Sequence, residues 1–210
     1  MKFNVKKVKL SKKRELDIYI PLEVPRQLTA IDPVVWDIAI LGDSVAYKYL
    51  KKLFIAASNL KSQEIIYIPT YPNDSNEYRD IWSYGIFDMD IVLVNYHSTQ
   101  LKAKDIFNAI NTKNSISEHL KDINIKNSST KYPEDWLTDR RLNARRFKNT
   151  LIIYTNRDVF IKFAFDTEYM TVDNDDEQYN FNVHLHEDLI GTSKDNGFNF
   201  LYYHKKENVR

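Results

Sequence analysis

Three groups of residues have types and spacings suited to chemistry. Gly42-Asp43-Ser44 ends the apolar run Trp36–Leu41 and precedes a helical pattern. A serine at a strand-to-helix junction is presented outward, and its own N–H can help bind an oxyanion, which makes Ser44 the candidate nucleophile. The same place suits a helix N-cap, where Asp43 or Ser44 offers an oxygen to the free N–H groups of the first turn. In His184-Leu185-His186-Glu187-Asp188, a strand would put His184 and His186 on one face. Two imidazoles so placed can ligate zinc or a similar divalent ion if a carboxylate or third histidine joins them. Asp173, Asp175 and Asp176 lie nearby in sequence. The run DWLTDRRLNARRFKN carries Arg140, Arg141, Arg145 and Arg146. As a helix it would stack Arg141 over Arg145, a geometry that grips phosphates or a partner's carboxylates. Its alternative is a solvated face paired with the acidic stretch from Asp166 to Asp188, which contains no Lys or Arg.

Composition removes many other chemistries. The chain has 210 residues and no Cys, so disulfides, thiol catalysis and cysteine-ligated metal centres are excluded. With only 4 Gly, a glycine-rich phosphate loop is not expected, while 14 Tyr and 11 Phe supply a sizeable core. The net charge of +1 gives no global field to select nucleic acid or membrane. No stretch reaches the ~20 apolar residues of a membrane span, and the first twenty residues hold no apolar run of leader type. A cytoplasmic, soluble protein without a membrane partner is expected. Lys2, Lys6, Lys7, Lys9, Lys12 and Lys13 could contact nucleic acid. They interleave with Val5, Val8 and Leu10, however, as in an edge strand that lysines guard against aggregation.

These residues need elements to position them. Residues 3–10 and 16–20 read as one or two strands, stopped by Pro21 and Pro25. Trp36–Leu41 reads as a buried strand and Val45–Leu60 as a helix, with Leu50, Leu53, Phe54 and Ala57 at helical spacing. Glu64–Ile68 and Ile91–Val94 are strands, and Lys102–Ile110 is a short helix. Residues 111–133 are polar and read as a surface insertion. Trp136–Phe147 reads as a basic helix, and Leu151–Tyr154 with Val159–Phe165 as a β-hairpin. Tyr169–Val172, Phe181–Leu185 and Phe198–Tyr203 add strands. The pattern gives a single α+β domain over 1–210, with a mixed or mainly antiparallel sheet, helices on one face and a strand-rich C-terminal half.

Two resemblances bear on function. IAILGDSVAY resembles the first motif of the GDSL (SGNH) esterases, with Ser44 in the nucleophile's place, and Asn73-Asp74 in TYPND is similar to that family's Gly-x-Asn-Asp, with Tyr71 where the Gly stands. None of His97, His119, His184, His186 or His204 has Asp three residues before it, so the family's Asp-x-x-His base is missing. The order WDIAILGD, YKYLKKLFIAAS, EIIYIP, DIVLVNYHSTQLKAKDIFNAI and LIIYTNRDVFIKFAFDTEYMTV resembles an uncharacterised family of small Gram-positive bacterial proteins, a domain of unknown function, over residues 36–172. That family's Tyr-Asp-Asp-Arg-Gly-like turn stands here as Phe165-Asp166-Thr167-Glu168, without the Arg and Gly. This resemblance implies a role in bacterial conflict, such as neutralising a toxin. The expected function is a non-enzymatic factor that binds another protein through a charged surface, as an immunity or antitoxin-like protein or a phage-encoded inhibitor does, with no cofactor. The alternative is an enzyme: a hydrolase using Ser44, or a phosphoesterase or nuclease holding a divalent metal at His184 and His186.

Overall fold

A computed structural model of the chain describes residues 1–11, 14–34, 37–72, 79, 83–96, 101–125, 142–171, 185–186 and 198–202. The first two strands, β1 (Lys2–Ser11) and β2 (Arg14–Pro21), pair antiparallel as a hairpin. Next come β3 (Thr29–Asp32), β4 (Ala39–Gly42), helix α1 (Ser44–Ser58), β5 (Glu64–Ile68) and the long β6 (Ile86–Asn95). Helix α2 (Ala103–Asn111) and β7 (Ser117–Asp122) follow, then β8 (Leu142–Arg146), β9 (Thr150–Thr155) and helix α3 (Arg157–Tyr169). The short β10 (Leu185–His186) and β11 (Asn199–Tyr202) complete the described elements.

The strands form one mixed sheet in the order β10-β11-β4-β3-β6-β5-β2-β1-β7, with β9 joined to β6 and β8 to β9. Three pairings are parallel: β11 with β4, β2 with β5, and β6 with β9. The protein is thus α+β with a mixed sheet, as its sequence pattern implies. Strand β6 is the branch point. Its first half pairs with β3, and its second half pairs with both β5 and β9. Within the first half, where the register with β3 shifts, Asp88 adopts φ 55°, a left-handed conformation that aspartate tolerates better than most residues. Polar contacts fix this bend: the Thr70 hydroxyl and Asn149 Nδ2 donate to the Asp88 carbonyl at 3.1 and 3.2 Å, and Arg79 pairs with the Asp88 carboxylate.

Side-chain alternation divides the core between the two sheet faces. Ile91, Leu93, Leu151 and Ile153 meet Leu50, Leu53 and Phe54 of α1 and Phe160 and Phe163 of α3 on one face. Val92, Val94 and Ile152 meet Ile106 of α2 on the other. Helices α1 and α3 therefore share a face, and the short α2 covers the opposite one.

Several sequence expectations are corrected. The basic segment is no helix where it is described, because Leu142–Arg146 is a strand paired with β9. Leu142 and Ala144 alternate into the core, and Arg145 and Arg146 point to opposite faces rather than joining helical stripes. The hairpin lies earlier than expected: β8 and β9 form it, and Val159–Phe165 lies within α3. Asn156 Oδ1 caps α3 by accepting from the Val159 N–H at 2.9 Å, and the cap outweighs the β-propensity of VFIKF. Tyr169 ends α3 instead of extending the sheet. Strand β1 is not an edge, since β7, from within the polar stretch 111–133, pairs along it. Phe181–Val183 and residues 126–141 lie outside the described residues.

Candidate functional site

Ser44 opens helix α1, and Asp43 is the residue that caps it. Asp43 Oδ1 accepts the Ala46 N–H at 2.8 Å, and the Ser44 hydroxyl donates to the Thr171 carbonyl at 3.1 Å. Ser44 is buried, so this contact ties the start of α1 to the end of α3. Among the described residues its partner is a carbonyl rather than a histidine. Asp43→Ala is expected to cost about 1 kcal/mol of stability and Ser44→Ala about 0.5–1.5 kcal/mol, both readable in urea-induced unfolding.

The other predicted residues are scattered. Arg145 lies over the Tyr154 ring at 5.2 Å from its centroid, and Arg146 Nε pairs with Asp32 at 2.8 Å. Arg140, Arg141 and His184 lie outside the described residues. His186 sits in β10, its backbone in register with Asn199. Among the described residues no group of three or more metal-binding side chains gathers. Of the N-terminal lysines, Lys6 donates to the Thr112 carbonyl, and Lys7 lies 3.7 Å from both Glu15 and Asp17. No helix among the described residues is long and apolar enough to cross a membrane.

The structure gathers a different group. Strands β6 and β9 run side by side in parallel, and their chains leave toward opposite faces: α2 after β6, α3 after β9. A cleft of about 520 Å³ opens on the α1–α3 face, between the end of α1, the start of α3, strand β2, the start of β5 and the end of β7. Leu60 lines it, and the Leu60 carbonyl accepts from Asn95 Nδ2 at the end of β6; Arg157, just beyond the end of β9, also lines it.

Tyr19, Glu64 and Lys121 form a chain of contacts along the cleft. The Tyr19 hydroxyl donates to Glu64 Oε1 at 2.8 Å and accepts from Lys121 Nζ at 2.6 Å. The Lys121 ammonium also lies 4.8 Å from the Tyr19 ring centroid. Burial, then the hydrogen bond and charge of Glu64, push the Tyr19 hydroxyl well above its ordinary pKa, so it stays protonated and serves as a donor. The second Glu64 oxygen accepts the Lys61 N–H at 2.7 Å. Glu64 is thus held by two donors, while Lys61, Lys121 and Arg157 are among the residues that line the same space.

A second carboxylate is held more deeply. Asp90 accepts from the Thr70 N–H at 2.9 Å and the Tyr67 hydroxyl at 2.8 Å. Burial raises its pKa against the lowering effect of these bonds. Its donors come from the end of β5 and the residues just beyond it, so Asp90 belongs to the bend of β6.

Sequence reasoning singled out none of Tyr19, Lys61, Glu64 and Arg157, and Lys121 only as part of a polar stretch. They come from four separate places in the chain, and local spacing links only Lys61 and Glu64, three residues apart. No protein-family model matches the chain, and neither does any curated protein or solved structure. The resemblances to the GDSL esterases and to the Gram-positive family rest on the residues quoted for them.

Proposed function

We propose that this chain is a non-enzymatic binding factor that takes an extended segment of another protein onto the outer edge of β7, with which no strand among the described residues pairs. One observation carries this reading: all six residues of β7 are exposed, and β7 ends the sheet formed by the described residues. Met1 and Ile123 exchange both backbone hydrogen bonds, at 2.8 and 2.9 Å, which fixes the phase of the ladder. The N–H and C=O groups of Ser117, His119 and Lys121 therefore face β1, and those of Glu118, Leu120 and Asp122 face outward. An outward row of this kind is a template for strand addition. Leu120 is 72% exposed and Ile116 51%, which supplies apolar contact beside the backbone ladder. Glu118 and Asp122 flank Leu120 on one face, and His119 and Lys121 lie on the other. A complementary segment has an apolar residue opposite Leu120 and basic residues on either side of it on the same face. Strand addition of this kind suits an immunity or antitoxin-like factor, or a phage-encoded inhibitor, that masks its target by binding.

Leu120→Pro tests the reading. Proline is tolerated at an edge position whose N–H faces solvent, so the variant is expected to keep the fold and its melting temperature within a few degrees. The same change removes the central outward donor and puts a ring in the path of an incoming strand. A partner that co-purifies stoichiometrically with the wild type from the native host is expected to be lost. Retention of that partner by a folded Leu120→Pro protein, or no stoichiometric partner for the wild type, would sink the proposal.

A further inference from the structure

We infer that the cleft between the end of α1, the start of α3 and strands β2, β5 and β7 is a site for a small organic phosphate monoester, distinct from the outward backbone edge of β7. The cleft's volume of about 520 Å³ suits a small molecule, since such sites run roughly 300–1,000 Å³. Its described lining holds three cationic side chains, Lys61, Lys121 and Arg157, against one carboxylate, Glu64. The hydrogen bonds from Tyr19 and the Lys61 N–H hold that carboxylate in place, and its single negative charge leaves the described lining with a net excess of two positive charges. Among the described residues neither Lys61 nor Arg157 has an ion pair, and the bond of Lys121 goes to the neutral Tyr19 hydroxyl.

A dianionic phosphate answers an excess of cations better than a single carboxylate does, and the planar fork of Arg157 matches its oxygens. The rest of the wall is apolar, with Ile55, Leu60, Ile123 and Ile161 among the lining residues. That wall calls for an apolar body attached to the phosphate, so inorganic phosphate alone would leave most of the space unfilled.

Titration calorimetry on the full chain tests this, with naphthyl phosphate, naphthol and inorganic phosphate as probes. Naphthyl phosphate is expected to bind more tightly than either of the others, and more weakly as salt rises. Arg157→Glu and Lys61→Glu are each expected to weaken it at least about tenfold. Arg157 is exposed in the first turn of α3, where an acid suits the helix dipole, so its replacement leaves the fold intact. Leu120→Pro is expected to bind naphthyl phosphate as the wild type does, so failure at the β7 edge and failure in this cleft are told apart. The inference is overturned if naphthyl phosphate gives no saturable heat at millimolar concentration. It is equally overturned if inorganic phosphate binds as tightly, or if both charge reversals bind like the wild type.

Discussion

Phe163→Ala is expected to lower the unfolding free energy by about 3–5 kcal/mol, the range for emptying a large aromatic site in a packed core. Phe163 is fully buried where three parts of the chain meet. Its ring centroid lies 5.4 Å from that of Phe54 on α1, 5.3 Å from Phe198 and 6.3 Å from Phe200 on β11. Phe160, its neighbour on α3, stands 6.5 Å away. The ring contacts with Phe198 and Phe200 are edge-to-face, the arrangement that adds to simple area burial. Alanine would open a cavity bounded by aromatic rings on separate elements, which cannot all move inward together. Phe163→Leu retains most of the volume and is expected to cost well under half as much. Guanidinium unfolding of the two variants gives the comparison: a midpoint shift with unchanged slope is expected, and a loss below about 1 kcal/mol for alanine would contradict this view of the core.

Phe163 also shows where the sequence is hard to read. Residues 159–165 are apolar except Lys162, and the run is rich in Phe, Val and Ile. Helix α3 is covered around much of its circumference, so it lacks a polar stripe and the period of 3.6 is masked. The usable signal was local and lay just before the run: Asn156 as cap and Asp158 in the first turn. Around Gly42-Asp43-Ser44 the equivalent signal was legible, because a buried strand, a short polar break and an amphipathic helix follow one another. Strand β7 had no signal of its own. Ser117–Asp122 shows no alternation and buries no side chain, and pairing with β1 alone makes it a strand. In β8, period-two burial extends over only Leu142 and Ala144, too short to compete with the helix propensity of Leu, Ala and Arg. The cleft was illegible for a related reason. Tyr19 and Glu64 meet because β2 and β5 pair in parallel, and Lys121 joins them through β7 and β1. Topology brings these residues together, and spacing along the chain carries no trace of it.

Helix α2 offers the sharpest test of how the second face of the sheet is held. It is only nine residues long, and a helix of that length is marginal without tertiary contacts. Its N-cap, Lys102, makes no side-chain capping bond, so packing has to hold it. Three of its residues are buried, two of them alanines, which leaves Ile106 as the large anchor among Val92, Val94, Ile152 and Val8. Ile106→Ala is therefore expected to cost about 2–5 kcal/mol, and the loss should be uneven. Amide exchange in 103–111 is expected to rise toward the rate of an unfolded segment, while β6 and β9 keep protection close to the global value. Those strands stay covered on the other face by α1 and α3, so losing α2 exposes Val92 and Ile152 without dismantling the sheet. Uniform loss of protection throughout the chain would instead mean that α2 is integral to a single cooperative core. Protection in 103–111 that survives the substitution would mean that the helix is held by contacts other than Ile106.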